Sequence, residues 1–411
     1  MDSEPNLSPH LNRVWFSPRS GLDLIMYFIA GTLFFIVTWP ILSSISSYDV
    51  AGRTPFVLGI ITIAYAGNHL RNKYVIILGL LCFYTILNMW VKNDYKIEFI
   101  EVSSLALPFL AFCSSFALFQ KDKKVLLLIS IFSLLSLILF MISKTSFSFR
   151  GFSAAEQVVV DDSIFNSNAT GLYLSVFSSI FVIAAIFFKI PIFVELFVYG
   201  IVFLLVIPLA SRSSMYCLCI SLFFSYIIYS NKISKSKFIF ITVFALLLII
   251  VVQNFIMNET FLGERILSTD TQIKRKEYSG TFISNIFGDR AMYYYDGWQI
   301  FTEHPISGVG NNNYIKYNSF GPFVCHVEIM KQFSENGIIG VLLLFSFFLF
   351  ALTDAAKAFF TSKYKDIWLS YFQAIPLILA ICSTAYISSR VPYYLLLGIS
   401  CSYFSQVQKK Q

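Results

Sequence analysis

The sequence predicts an all-α membrane protein with about 12 transmembrane helices and one large loop that contains short helices. Composition is the first observation, because 57% of the 411 residues are hydrophobic and only 13% are charged. A soluble domain carries about 25% charged residues. The second is a series of long apolar runs, and the third is the placement of Lys and Arg along the chain. This composition excludes a soluble enzyme, a disordered chain and a nucleic-acid binder.

Twelve apolar runs have roughly the length that a membrane-spanning helix needs, which is about 20 residues. They lie near residues 22–45, 54–68, 74–91, 99–118, 124–142, 168–188, 191–210, 213–230, 237–256, 337–356, 367–388 and 391–406. The second run is the shortest. A polar segment precedes the first run and shows no small-residue cleavage site, so we expect a retained first helix.

The distribution of basic residues predicts the topology. With both termini in the cytoplasm, the cytoplasmic segments carry 16 of the 30 Lys and Arg residues, and the short outer loops carry 7. Short cytoplasmic loops hold an excess of Lys and Arg. We therefore expect transmembrane helices 1–9 within residues 1–256, a large outer loop at 257–336, and helices 10–12 within 337–411.

Two outer segments are longer than a tight connection, namely residues 143–167 and 257–336. Long loops within a compact protein are usually functional. The stretch from Asp289 to Glu303 repeats apolar residues at helical spacing. The larger loop is therefore expected to form a small folded cap.

Arg212 and Arg290 are the strongest candidates to bind an anion. Arg212 lies in a short turn between two apolar runs, among small residues that leave room for a bulky group. Arg290 lies at the start of the predicted cap helix, where backbone N–H groups also favour phosphate. The structural alternatives are a snorkelling side chain for Arg212 and a salt bridge to Asp289 or Asp296 for Arg290.

His326 is the candidate general base, because histidine takes up a proton near neutral pH. Glu328 follows His326 closely in the sequence. The structural alternative for His326 is a loop histidine that is held by a hydrogen bond. Arg150 and Arg390 are weaker candidates on the outer side. The glycine run at 304–311 is by itself weak evidence of phosphate binding.

Neither a metal nor another cofactor is expected. The seven Cys and four His residues show no disulfide framework and no zinc spacing. Glu195 lies within an apolar run, where a proton relay is one interpretation and an interhelical hydrogen bond is the favoured one.

Four motifs in this order resemble the O-antigen ligase and polymerase superfamily of bacterial inner-membrane glycosyltransferases. They are Ser211-Arg212-Ser213, Arg290 with Trp298, the run from His304 to Gly310, and His326 with the run from Gly337 to Val341. The resemblance implies a lipid-dependent glycosyltransferase fold in the inner membrane. It also implies a glycan donor on undecaprenyl pyrophosphate, used at the periplasmic face.

The resemblance implies roles for the candidate residues. Arg212 and Arg290 hold the pyrophosphate, and His326 lies at the acceptor hydroxyl, so these three would be catalytic. Arg150, Arg390 and Glu328 are expected to help bind the substrates. The reaction that the resemblance implies is a metal-independent substitution at the anomeric carbon. Expected partners are the lipid-linked donor, a lipid-linked or lipid A core acceptor, membrane lipids and a chain-length regulator, without nucleic acid.

Several functions remain open at this stage. Ligases of the family often have Asn, Ser or Gln after the histidine, whereas this chain has Val327. The segments 165–168 and 308–311 also look more like those of polymerases, so polymerase is favoured over ligase. A protein-directed oligosaccharyltransferase shares the donor site. A transporter is the alternative of another class, although the sequence shows no matching halves.

Overall fold

Helices account for most of the residues that the structure describes. The computed structural model of the chain describes residues 70–93, 95–96, 98–121, 167–207, 212–230, 290–319, 324–362, 365–384 and 391–409, with isolated residues between 25 and 67 and between 131 and 135. No strand occurs in these ranges. The helices are α1 (Lys73–Lys92), α2 (Phe99–Lys121), α3 (Ser167–Phe187), α4 (Ile192–Val206), α5 (Arg212–Ser230), α6 (Ala291–Glu303), α7 (Tyr314–Tyr317), α8 (Glu328–Thr361), α9 (Lys365–Phe372), α10 (Ala374–Thr384) and α11 (Val391–Lys409).

The helices confirm eight of the predicted apolar runs as helical segments. Within the described ranges, five segments are long and apolar enough to cross a membrane: 73–92, 101–120, 213–230, 328–361 and 365–383. Helices α3 and α4 are apolar but shorter. The runs near 22–45, 54–68, 124–142 and 237–256 lie outside the described residues, apart from the isolated ones. The chain is thus a multi-pass helical membrane protein, and the count of twelve stays a prediction.

Two predicted runs differ from the helices in detail. Helix α8 begins nine residues before the run at 337–356, and its backbone is non-helical at Gly337 (φ 60°, ψ −161°). We call residues 328–336 its first section and residues 338–361 its second section. The run at 367–388 forms two helices, α9 and α10, with Gln373 between them.

The start of α1 follows from a capping side chain. Asn72 has an extended backbone, and its side-chain oxygen accepts the N–H of Tyr74 at 3.1 Å. Such a cap satisfies one of the donors that a helix N-terminus leaves unpaired. The Asn72 amide also donates to the hydroxyl of Ser405 in α11 at 2.8 Å.

Helices α1 and α8 run antiparallel. At one end, Lys73 forms an ion pair of 2.7 Å with the buried carboxylate of Asp354. At the other end, Lys92 packs against the backbone of Gly310, which lies in the loop between α6 and α7. The two helices therefore place the residues that precede α8 at the C-terminal end of α1.

Small residues bring other helices close together. A side chain on Gly398 of α11 would collide with Ser115 and Phe112 of α2. The hydroxyl of Ser402 donates to the carbonyl of Phe116 at 3.0 Å. Small and hydroxyl residues usually form the contacts between helices in a membrane. The hydrophobic effect does not drive helices together in lipid, so close packing and interhelical hydrogen bonds take its place. Helices α2 and α11 consequently pack in direct backbone contact.

The buried carboxylate of Glu195 has an interhelical partner. The phenol of Tyr229 in α5 donates to its Oε2 at 2.5 Å. A buried charge in the membrane requires such a partner. The favoured interpretation of Glu195, a satisfied interhelical hydrogen bond, is confirmed.

Candidate functional site

Helix α6 positions Arg290 on the cap. Arg290 is the N-cap residue, and the helix ends at Glu303 before His304, as the sequence predicts. The buried face of α6 packs on the first section of α8, where a Cβ on Gly297 would lie 3.0 Å from Cβ of Met330. This contact places Arg290, which is partly buried, at the N-terminal end of the helix.

Arg290 lies near the ends of two membrane helices. Burial raises the pKa of Tyr294 to about 12, while the nearby Arg290 charge acts in the opposite direction. The protonated phenol of Tyr294 donates to the carbonyl of Ser383, near the end of α10, at 2.9 Å. The guanidinium of Arg290 also lies close enough to Cys217 to interact electrostatically with its thiol. Cys217 lies near the start of α5, so Arg290 lies in the neighbourhood of that end of α5.

His326 lies in a short extended segment in front of α8. Its ring meets the ring of Tyr293 edge to face, with centroids 5.5 Å apart. Tyr293 is three residues after Arg290 on α6. Arg290 and Tyr293 are about one helical turn apart on α6. The contact with Tyr293 therefore places His326 near the start of α6, where Arg290 lies.

Glu328 begins α8 two residues after His326, and its side chain is buried. Its Oε1 accepts a hydrogen bond from Nε2 of Gln332 at 2.7 Å. The Glu328 carboxylate lies close enough to interact electrostatically with Cys382 of α10 and with Tyr394 in the first turn of α11. Glu328 therefore lies where the end of α10, the start of α11 and the start of α8 meet.

Cys325 is next to His326 but is poorly suited to nucleophilic chemistry. Its side chain is buried, and its thiol donates to the carbonyl of Val327 at 3.5 Å. Burial raises the pKa of the Cys325 thiol, whereas the reactive form is the thiolate. The candidate catalytic group in this segment is thus the imidazole.

The fold brings three of the six predicted site residues close to one another: Arg290, His326 and Glu328. Arg212 is the first residue of α5, and the structure describes its backbone but not its side chain. Arg150 and Arg390 lie outside the described residues. Their roles remain predictions. In the described part of the chain, no group of three His, Cys, Asp or Glu side chains could hold a metal ion.

The glycine loop, residues 304–313, wraps around the break in α8. Three backbone hydrogen bonds join the two: Val309 N to Ser334 O at 2.9 Å, Gly310 N to Glu335 O at 2.8 Å, and Ile338 N to Pro305 O at 2.9 Å. The loop donates the N–H groups of Val309 and Gly310 to α8 carbonyls and accepts the N–H of Ile338 at the carbonyl of Pro305. Its glycines therefore serve packing against α8, and this explains why they are weak evidence of phosphate binding.

Two glycines are required at this junction. Gly308 (φ 64°) and Gly337 (φ 60°) both occupy the left-handed region, which side chains disfavour. A Cβ on Gly308 would lie 2.6 Å from the carbonyl oxygen of Ser334. A Cβ on Gly337 would lie 2.6 Å from the nitrogen of Gly308. The two backbones can approach this closely only because both positions lack a side chain.

A buried hydrogen-bond chain, which sequence reasoning missed, starts at the junction. It consists of Asn88, Asn336, Gln332 and Glu328. Three members recur every four residues on α8, so they share one face of the helix. This i, i+4, i+8 spacing of polar residues was the available signal. Asn88 is an isolated amide within an apolar helix, which is a weaker signal.

These observations describe a multi-pass helical membrane protein with a polar candidate site where several helix ends meet. Residues 196–345 match the family model described as O-antigen ligase. The match runs from α4 into the second section of α8 and includes Arg212, Arg290, the glycine loop and His326. It confirms the resemblance to the O-antigen ligase and polymerase superfamily. It also supports a glycosyltransferase-like function of that type. A comparison with curated proteins gives no match.

Proposed function

We propose that the protein is an O-antigen polymerase of the bacterial inner membrane. It transfers a glycan from undecaprenyl pyrophosphate to a lipid-linked repeat unit at the periplasmic face. The observation that carries this proposal is the arrangement of Arg290 and His326 around Tyr293, within the segment that matches the family. A cation and a proton acceptor are the two groups that this substitution requires.

The proposed reaction assigns one task to each group. His326 takes the proton of the acceptor hydroxyl as its oxygen attacks the anomeric carbon of the donor. The bond between that carbon and the pyrophosphate oxygen breaks, and the electron pair leaves with undecaprenyl pyrophosphate. Arg290, together with Arg212, offsets the negative charge that develops on the leaving group. Glu328 helps to orient the acceptor.

Val327 supports a polymerase over a ligase. The resemblance associates ligases with a polar residue at this position. The side chain of Val327 is fully buried, and it packs in a cluster with Tyr293, Ile300, Val309 and Met330. The position after the histidine therefore serves the core of the cap here. The ligase alternative keeps its own support, because the matching family model is described as O-antigen ligase.

The lipopolysaccharide of a deletion strain tests the choice between the two. A polymerase deletion should leave a single repeat unit on the lipid A core, because ligation still proceeds. A bare core, with long glycans retained on the lipid carrier, would instead identify a ligase. An unchanged ladder of chain lengths would contradict both functions.

The periplasmic position of the cap can be tested by cysteine labelling. Thr302 at the end of α6 and Thr361 at the end of α8 are both exposed. In a Cys219→Ser background, which removes an exposed native thiol, we introduce Thr302→Cys or Thr361→Cys. Because the two positions should lie on opposite sides of the membrane, a membrane-impermeant thiol reagent should label only Thr302→Cys in spheroplasts. Labelling of Thr361→Cys alone would reverse the topology and remove the site from the periplasm.

A further inference from the structure

Asn88 of α1 lies outside the segment that matches the family, yet its side chain contacts two parts of that segment. Its Nδ2 donates to the carbonyl oxygen of Ser307 at 2.7 Å and to that of Glu335 at 2.9 Å. We propose that Asn88 is a positioning residue for glycan transfer. It fixes the glycine loop to the first section of α8 and thereby holds Arg290 in place relative to His326 and Glu328. This inference rests on the proposed function.

The chemistry of the amide fits the break in α8. Gly337 interrupts the helix, so the carbonyl of Glu335 lies at a point where the regular helical pattern fails. That carbonyl accepts both the N–H of Gly310 and the amide of Asn88. The Asn88 amide has two hydrogens. They match the two carbonyls, one on the loop and one on α8, so a single side chain joins both.

The position of the loop is transmitted to Arg290 through α6. The glycine loop begins directly where α6 ends, and the buried face of α6 packs on the first section of α8. Arg290 lies at the other end of this helix of 13 residues. A helix is stiff over that length, so a displacement of the loop tilts α6 and moves Arg290. The segment with His326 is continuous with α8 and would not follow.

The buried hydrogen-bond chain gives Asn88 a second connection, which leads to Glu328. Asn88 Nδ2 also lies 3.4 Å from Oδ1 of Asn336, a longer contact that shares one of the two hydrogens already directed at the carbonyls. Asn336 Nδ2 donates to Oε1 of Gln332 at 3.0 Å, and Gln332 Nε2 donates to Oε1 of Glu328 at 2.7 Å. Every donor in the chain points towards the Glu328 carboxylate. Buried bonds aligned in this way polarise and strengthen one another.

The informative substitution is Asn88→Asp, which preserves the shape and replaces the Nδ2 group, with its two donor hydrogens, by an acceptor oxygen. A carboxylate would face the carbonyls of Ser307 and Glu335 and repel them. We expect kcat of glycan transfer to fall by about 10- to 100-fold, because small displacements of catalytic groups have effects of that size. The KM for the lipid-linked donor should change less than kcat does, since the variant retains both arginines and loses only the alignment of Arg290 with His326. Thr85→Val, one turn earlier on the same buried face of α1, is the matched control and should behave as the wild type.

A second readout measures the loop without measuring activity. With the purified protein in lipid nanodiscs, hydrogen exchange of the amides of Val309, Gly310 and Ile338 should accelerate in Asn88→Asp and stay unchanged in Thr85→Val. Should Asn88→Asp fail to fold, Asn88→Ser keeps one donor, and we expect an intermediate loss of kcat with a smaller increase in exchange.

The outcomes separate this inference from the proposed function. Wild-type kcat per folded molecule with unchanged exchange would overturn the positioning role, even if the yield of folded protein fell, because a merely structural residue changes only the yield. A wild-type protein that transfers no glycan would instead count against the proposed function. In that case, the exchange measurement alone still decides whether Asn88 holds the loop.

Discussion

Replacement of Arg290 with lysine is expected to reduce glycan transfer by about 10²-fold or more, while the protein is inserted at normal levels. Removal of one preorganised group that stabilises developing charge has an effect of that order. A guanidinium offers a planar fork that holds a phosphate through two hydrogen bonds, whereas an ammonium is a point charge. Arg212→Lys should show a similar loss if the two arginines hold the same pyrophosphate. The measurement is transfer of a lipid-linked repeat unit by each purified variant.

The matched control is Arg71→Lys, which makes the same chemical change at the other end of the helix bundle. Arg71 is exposed and precedes α1 near the ion pair of Lys73 and Asp354. The Arg71→Lys variant should transfer glycan at the wild-type rate. If Arg290→Lys also kept the wild-type rate, Arg290 would be reduced to a structural residue of the cap.

The second large effect is expected at His326, where base catalysis and loop structure make opposite forecasts. As a general base, His326 would contribute roughly 10² to 10⁴ in rate. His326→Ala and His326→Gln should both lose about that factor, because an amide does not take up a proton near neutral pH. If the histidine only held the loop by a hydrogen bond, the Gln variant could preserve that bond, since an amide both donates and accepts.

The measurement compares transfer by purified His326→Gln with transfer by the wild type, and donor affinity is determined separately. Retained donor affinity with a large loss of transfer supports the base. Full transfer by the Gln variant would exclude proton abstraction by this residue and leave charge stabilisation by the arginines as the source of catalysis. Cys325→Ser is a suitable control in the same segment, because its buried thiol has no assigned role in transfer.

The sequence predicted the helices well where one physical signal dominated. A run of about 20 apolar residues has few alternatives to a membrane helix, because lipid satisfies no backbone polar group. For this reason α1, α2, α3 and α5 begin and end within a few residues of the predicted bounds. The first section of α8 was missed since it is a polar extension beyond the apolar run. Its break at Gly337 depends on contact with a loop that approaches from elsewhere in the chain.

The candidate site was partly visible for a similar reason. Arg290 and His326 were recognisable because a guanidinium and an imidazole are chemically distinctive in a chain that is mostly apolar. Asn88 was not, because a lone amide in an apolar helix has many uses. Its partners, Ser307 and Glu335, are far away in the sequence. The Gln332 and Asn336 amides act only through neighbours that the fold brings together, and spacing alone does not reveal such contacts.

The contacts of Asn88 also constrain how the protein is assembled. Its two carbonyl partners lie 219 and 247 residues further along the chain. Helix α1 therefore enters the bilayer long before either partner has been synthesised, and its amide must meanwhile find water or another helix. The second section of α8 is about 36 Å long, enough to cross a hydrocarbon core of about 30 Å and to bring the glycine junction to the end of α1. Maturation of the site is consequently a late event in biogenesis, and a nascent chain that stops before α8 carries the arginines without a completed cap.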